Sequence, residues 1–521
     1  MPSEASIEIE FSEKIDRDKF PEAIFISPDP GGELKFKYKG RRVRIHLPKE
    51  LLPDRTYVVT VGTDLRDNHN VAMEESFTLA FSTGDSIDRG EISGRVFADK
   101  PQGISLWAYI LPDSGIHADI DPRKRSGDYV TQAGVEGAYR IPFIAGGKYR
   151  VFAVNDLARD GIYDPVEDEI GVPDRDVEIT PGKLQVDNLD FRMALEDTIS
   201  PVLSSASLVN ATTVEVRFDE PITIPDSLLI NHFLLTNTKT QTAVTPNNAA
   251  NFPLDPKLFY LLTNPIDSIA SFVLEAKNVT DVAGNAIDSA FAKYEFGGNA
   301  RPDTVQPKIL RVTPEDSSNG IALDQEVRIV LSEWMQQPDS AVGMVVRIAD
   351  TSRTVVQGKL RWHNPFELGF KPDTTWKSNT RYDLEIANKS LLDYAGNALF
   401  DTLATRTFAT LNADTLSEIS GKLETSLNLP DSTLIYLKAR QVAGGKAERE
   451  IWLQAPRAYT FQQLLPGVYM IEGFFDTKPN RKYDFGKAFP FIRSERFFVY
   501  PDSIKIRSKW PNEGNDIVVE K

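Results

Sequence analysis

The residues best suited to chemistry in this sequence are carboxylates. Asp156-Leu157-Ala158-Arg159-Asp160-Gly161-Ile162-Tyr163-Asp164 runs on to Glu167, Asp168 and Glu169. Calcium takes roughly six to eight oxygen ligands, and a glycine between ligands permits the sharp turn they need. Asp156, Asp160, Asp164 and Glu167 are therefore the candidate ligands of a calcium ion, the one cofactor the pattern admits. Their spacing departs from an EF-hand loop, and the same aspartates could instead hold backbone amides in a long loop with Tyr163 packed beneath. A second copy keeps Asp476, Asn480 and Asp484 but carries Phe485-Gly486-Lys487 where the acidic tail stood.

Other chemistry is poorly supported. Glu13, Glu220 and Glu333 each end an alternating strand, but they fall in three separate repeats and cannot pair as acid and base in one cleft. A structural role at the strand end is expected. The five histidines are scattered without a metal-binding spacing. No cysteine is present, so disulfides, Fe–S clusters and thiol catalysis are excluded. Neither a Gly-x-Ser-x-Gly elbow nor a phosphate-cradling glycine loop occurs. With 59 basic against 75 acidic residues, the net charge of −16 argues against a nucleic-acid partner. The basic runs Lys39–Arg44 and Arg123–Arg125 are read as solvated surface, and the six tryptophans mainly as sandwich aromatics. The chain is read as a non-enzyme.

The elements that position these residues are strands. Ile7-Glu8-Ile9-Glu10-Phe11, Val214-Glu215-Val216-Arg217-Phe218 and Phe272-Val273-Leu274-Glu275-Ala276 alternate apolar and polar side chains, as antiparallel strands with one wet face do. Pro (33) and Gly (32) punctuate these runs, and no long amphipathic helix pattern interrupts them. The fold class is all-β. No apolar stretch is long enough to span a membrane.

Two kinds of repeat divide the 521 residues. The first opens with Phe11-Ser12-Glu13, Phe218-Asp219-Glu220 or Leu331-Ser332-Glu333. It closes, some 55 to 60 residues on, with a turn at Asp67-Asn68-His69-Asn70, Asp281-Val282-Ala283-Gly284-Asn285 or Asp393-Tyr394-Ala395-Gly396-Asn397. Asp caps such a turn, and Gly or Asn accepts positive φ. The second kind opens with Glu91-Ile92-Ser93-Gly94 and again with Glu418-Ile419-Ser420-Gly421, followed by Gly147-Lys148-Tyr149 and Gly467-Val468-Tyr469. The boundaries expected are 1–86, 88–195, 197–300, 304–412 and 415–521, forming a rod of five β-sandwiches. Pro201 and Pro314 each stand 19 residues before the motif glutamate, whereas only 12 residues precede Glu13. The first sandwich is therefore expected to lack its first strand, exposing an unpaired sheet edge, and an export signal is expected to be absent with it.

The first kind of repeat, by its Phe-Ser-Glu, Asp-x-x-Gly-Asn and Phe81-Ser82-Thr83-Gly84 motifs, resembles the bacterial immunoglobulin-like domain of the S-layer SbsA type. The second kind, by its Ile-Ser-Gly and Gly-x-Tyr strands, resembles the prealbumin-like sandwich of carboxypeptidase regulatory domains. Together they resemble cell-envelope lipoproteins of Bacteroidetes-like bacteria. The resemblance implies a non-enzymatic scaffold or adhesion-type protein of the periplasm, outer membrane or surface, with a lipid anchor in the full-length protein. An alternative is a module that binds an envelope glycan or protein through sandwich-end loops or an exposed sheet edge.

Overall fold

The computed structural model describes residues 6–520, apart from 49–50, 113–119, 225–228, 267–268, 299–300, 338–343, 387–389, 401–404, 431 and 455–456. Strands dominate throughout. In the first segment they are β1 (Ser6–Glu10), β2 (Ile24–Ser27), β3 (Lys35–Lys39), β4 (Arg42–His46), β5 (Thr56–Val61) and β6 (Phe77–Ser82). They form two three-stranded sheets, β1-β4-β3 and β2-β5-β6, around Phe20, Val43, Ile45, Val59 and Val61. Alternation decides which side chains enter that core. Ile7 and Ile9 lie opposite Ile45 and Val43, while Glu8 and Glu10 lie opposite Arg44 and Arg42 on the wet face. Arg44 reaches Glu8 at 2.6 Å and Arg42 reaches Glu10 at 3.1 Å, so the basic run is a solvated, ion-paired strand face.

The segments 203–297 and 309–410 repeat this plan with four strands per sheet. Each has its own apolar core, around Val214, Val216, Leu235 and Leu274 in one and Ile329, Leu331, Val346 and Leu384 in the other. One aromatic pair recurs in all three segments: Tyr57 with Phe81 at 5.4 Å, Phe272 with Phe296 at 6.0 Å, and Tyr382 with Phe408 at 5.4 Å. The tyrosine hydroxyls accept the backbone N–H of Leu52 and Lys377, which phenylalanine in the middle copy cannot do.

The proline equivalence needs correction. Pro201 precedes the strand Leu203–Leu208, but Pro314 follows the strand Ile309–Thr313. The structural counterpart of Pro201 is Pro307, which stands two residues before its strand in the same way. An added turn and the short strand Ser318–Ile321 account for the longer spacing in the third copy.

The segments 90–195 and 417–519 share a second plan. The Ile-Ser-Gly motifs lie in the strands Gly90–Phe97 and Ser417–Thr425. The glycine is there because a later segment crosses close over it: a Cβ on Gly94 would run into the Leu189 carbonyl, and one on Gly421 into that of Asn515. The crossing is tied down by Tyr139 and Tyr459, whose hydroxyls donate to those same carbonyls at 2.6 Å.

These two segments, distant in sequence, pack on each other, so the chain does not run as a rod. Ala488 is fully buried among Trp107, Tyr109, Phe152 and Tyr163. Arg150 stacks on Phe491 at 3.4 Å, Arg496 pairs with Asp174 at 2.8 Å, and Arg192 pairs with Glu472 at 2.8 Å. A separate apolar junction of Leu262, Trp334 and Phe366 joins segments 203–297 and 309–410.

Candidate functional site

The loop from Asp156 is organised around backbone amides. The Asp156 carboxylate accepts from the amides of Arg159 at 2.6 Å and Gly161 at 2.9 Å. Asp160 accepts from Ile162 and Asp164 from Val166, each at 2.9 Å. Asp168, almost fully buried, closes the loop by accepting from Leu157 and Asp164. Burial raises the Asp156 pKa above the usual carboxylate range. In the second copy Asp476 accepts from Asn480 and Arg481 in the same way. There Glu495, from farther along the chain, takes the place of Asp168 by accepting from Thr477, Lys478 and Asp484. Asp156, Asp160, Asp164 and Glu167 are thus neighbours in one loop, each aspartate already engaged with an amide. Neither Asp168 nor Glu495 was singled out in the sequence, since nothing in the spacing marks the closing carboxylate.

Carboxylates converge more closely at the segment junctions. The strand-end glutamate and the turn aspartate of each immunoglobulin-like copy come together in space. In the first, Glu13 and Asp67 flank His69, at 4.0 and 3.5 Å. In the second, oxygens of Asp197, Glu220 and Asp281 lie within 4.8 Å of one another. In the third, Asp303, Glu333 and Asp393 share a small cavity of about 90 Å³ with Asn210, Glu215 and Trp334. Local geometry explains the turn. Asp281 accepts from the amide and side chain of Asn285, at 2.8 and 2.7 Å, and Gly284 takes φ +90°. Asp393, Asn397 and Gly396 repeat it, with 2.8 Å for both bonds and φ +96°.

The turn asparagine also grips the incoming linker. Asn285 Nδ2 donates to the Asp197 carbonyl at 2.9 Å, and Asn397 Nδ2 to that of Asp303 at 3.2 Å. Both linkers read Asp-Thr-(Ile or Val)-x-Pro, at Asp197–Pro201 and Asp303–Pro307. In both, the Asp side chain accepts the amide two residues on, at 3.1 Å. That repeat was the readable signal for the third member of each cluster.

Packing three carboxylates together has an electrostatic result. Burial, then the charges of Asp197 and Asp281, push Glu220 up to about 6. Burial, then Asp303 and Asp393, push Glu333 up to about 7. Such a cluster can hold a proton near neutral pH or offer oxygens to a hard cation. The strand-end glutamates therefore do more than finish a strand.

The remaining candidates are placed plainly. His69 is exposed in its turn and His363 donates to or accepts from Glu326 at 2.9 Å, while His117 lies outside the described residues. Trp107, Trp334 and Trp376 are buried, and Trp510 is 73% exposed. Among the described residues no helix is long and apolar enough to cross a membrane.

No curated protein matches this chain significantly. Among solved structures it is similar to the N-terminal part of the bacterial S-layer protein SbsC, at 13% identity and a TM-score of 0.18 over 40% of this chain and 44% of that one. It thus spans less than half the length of that fragment. It is also similar to an L,D-transpeptidase from Mycobacterium smegmatis, at 11% identity and TM-score 0.17 over 42% and 90% of the two chains. A third is an I-band fragment of titin, at 9% identity and TM-score 0.13 over 62% and 100%. At the level of families, residues 1–83 and 303–410 both match the bacterial Ig-like domain.

Proposed function

We propose that this chain is a non-enzymatic scaffold or adhesion-type protein of a bacterial cell envelope, built of five β-sandwich modules with the boundaries given above. The observation that carries the reading is the pair of junctions at Asp197 and Asp303. Bacterial Ig-like segments are joined there by short linkers, each held to the next sandwich by an asparagine of its own turn. Fixed junctions of this kind suit a protein that sets distances between other components. An export signal and lipid anchor in the full-length protein belong to the same proposal, as does an envelope protein or glycan as partner. Cell fractionation of the source bacterium with an antibody to this chain tests it. Recovery with the envelope supports the reading, and recovery in the cytoplasm overturns it.

Calcium at Asp156, Asp160, Asp164 and Glu167 is a subordinate proposal, as a stiffener of the loop. A second functional reading, a module that binds an envelope glycan or protein, is favoured by the exposed Trp510 and by the open strand edges of the first sandwich.

A further inference from the structure

The first sandwich differs from its two sisters at both ends of its sheets. β1 is terminal in the order β1-β4-β3, and β6 is terminal in β2-β5-β6. In the second copy the counterpart of β1, Thr213–Phe218, is covered by Leu203–Leu208. In the third copy one continuous stretch covers both edges. Ile309–Thr313 runs antiparallel to Val327–Leu331, the counterpart of β1. The chain then crosses to the other sheet, where Ser318–Ile321 runs parallel to Arg406–Thr410, the counterpart of β6.

The uncovered edges leave apolar side chains wetter than their counterparts. Val327, Ile329 and Leu331 are fully buried, whereas Ile7 and Phe11 at the matching positions are only partly so. Phe408 is 2% exposed, and its match Phe81 is half-buried. A groove of about 890 Å³ runs beside Ser76 and Thr78, between the start of β6 and residues 138–143. Side chains shaped for a core and left at an unpaired edge are the acceptor half of strand addition.

We propose that β1 and β6 accept one extended segment of this same polypeptide, joined directly ahead of β1. The third copy supplies its chemistry. Val312 lies opposite Ile329, so an apolar residue at that place would cover Ile9. Arg311 lies opposite Val330, whose counterpart is Glu10, so a basic residue there meets a carboxylate. The connection points to the same chain as the source. Only residues 322–326 separate Ile321 from Val327, and a strand held by so short a tether outcompetes a free one by its effective concentration.

The test grafts residues 307–321 ahead of Pro2 in the full chain, which reproduces the spacing of the third copy. The graft should slow hydrogen exchange in β1 and β6 severalfold and raise the melting temperature of the first sandwich. A graft carrying Val312→Asp should do neither. A graft that leaves exchange in β1 and β6 unchanged overturns the proposal, as does a Val312→Asp graft that protects equally well. If a free synthetic peptide of residues 307–321 protects both strands while the graft does not, the donor is a separate chain and the assignment to this polypeptide fails.

Discussion

Glu333 is a carboxylate whose ordinary ionisation is opposed by burial and by two neighbouring aspartates. Its pKa in the folded protein is raised to about 7, so the folded state keeps a proton that the unfolded chain gives up at a lower pH. Stability from this group is fully present below the unfolded pKa and is lost as pH rises through about 7. Each pKa unit is worth about 1.4 kcal/mol, which sets an upper bound of about 3 kcal/mol before solvent screening reduces it. Glu333→Gln should therefore stabilise the protein at about pH 8 and flatten the decline between about pH 5 and pH 8. Thermal melts of both proteins across that range check it, and equal slopes would show that the glutamate is ionised throughout. Calcium is tested with the same melts. If the Asp156 loop binds it, calcium should raise the melting temperature, chelator should reverse the gain, and Asp160→Asn with Asp164→Asn should remove it. A gain that survives both substitutions places the ion elsewhere. Much of this was legible only in part. The motif glutamates and aspartates stood out by repetition, but their convergence joins residues some 55 to 60 apart in sequence with one from a linker. Spacing along a chain does not report that distance in space.

Strands were the most readable elements, because a half-buried sheet writes its two faces into alternate residues. Thr213–Phe218 and Ser271–Ala276 fall where the alternation puts them. The Ile-Ser-Gly motif was readable as a repeat but not as a requirement, since the close crossing at Leu189 and Asn515 comes from about 95 residues farther on. The expectation that follows is specific. Gly94→Ala and Gly421→Ala should each destabilise their own sandwich, because backbone rather than a yielding side chain occupies the space of the new methyl. Tyr139→Phe and Tyr459→Phe should cost about 1 kcal/mol each, the worth of one buried hydrogen bond. Chemical denaturation separates the two cases. A glycine variant as stable as the parent would mean that the crossing segment can move aside. The misplaced proline equivalence has a similar origin. A proline 19 residues before the glutamate is equally consistent with a strand before it or after it, and only the pairing of Ile309–Thr313 decides.

The arrangement of the whole molecule was the least legible, because tandem order alone suggests a rod while the contacts that fold the chain back join residues more than 300 apart. A trace was nevertheless present. Where the first copy of the long loop has an acidic tail, the second reads Phe485-Gly486-Lys487-Ala488-Phe489-Pro490-Phe491. An acidic loop stays in water, whereas an apolar one needs a surface to cover it. That surface is the face of Trp107, Tyr109 and Phe152, ringed by Arg123 over Phe489 at 4.3 Å and by Asp176 between Arg150 and Arg493 at 2.8 and 3.2 Å. Ala488 sits at the centre of the contact and belongs to neither sandwich's main core. Ala488→Arg should therefore push the loop off its surface while leaving both sandwiches folded. Small-angle scattering should then show a larger radius of gyration, with far-ultraviolet circular dichroism unchanged. Arg496→Ala should weaken the same contact less visibly, since Arg175 still faces Asp174 at 2.9 Å. Added salt should deepen the Arg496→Ala effect only slightly, because these ion pairs are largely shielded from solvent. If Ala488→Arg scatters like the parent, the fold-back is held by the ion pairs at its rim, and the apolar loop is incidental to it.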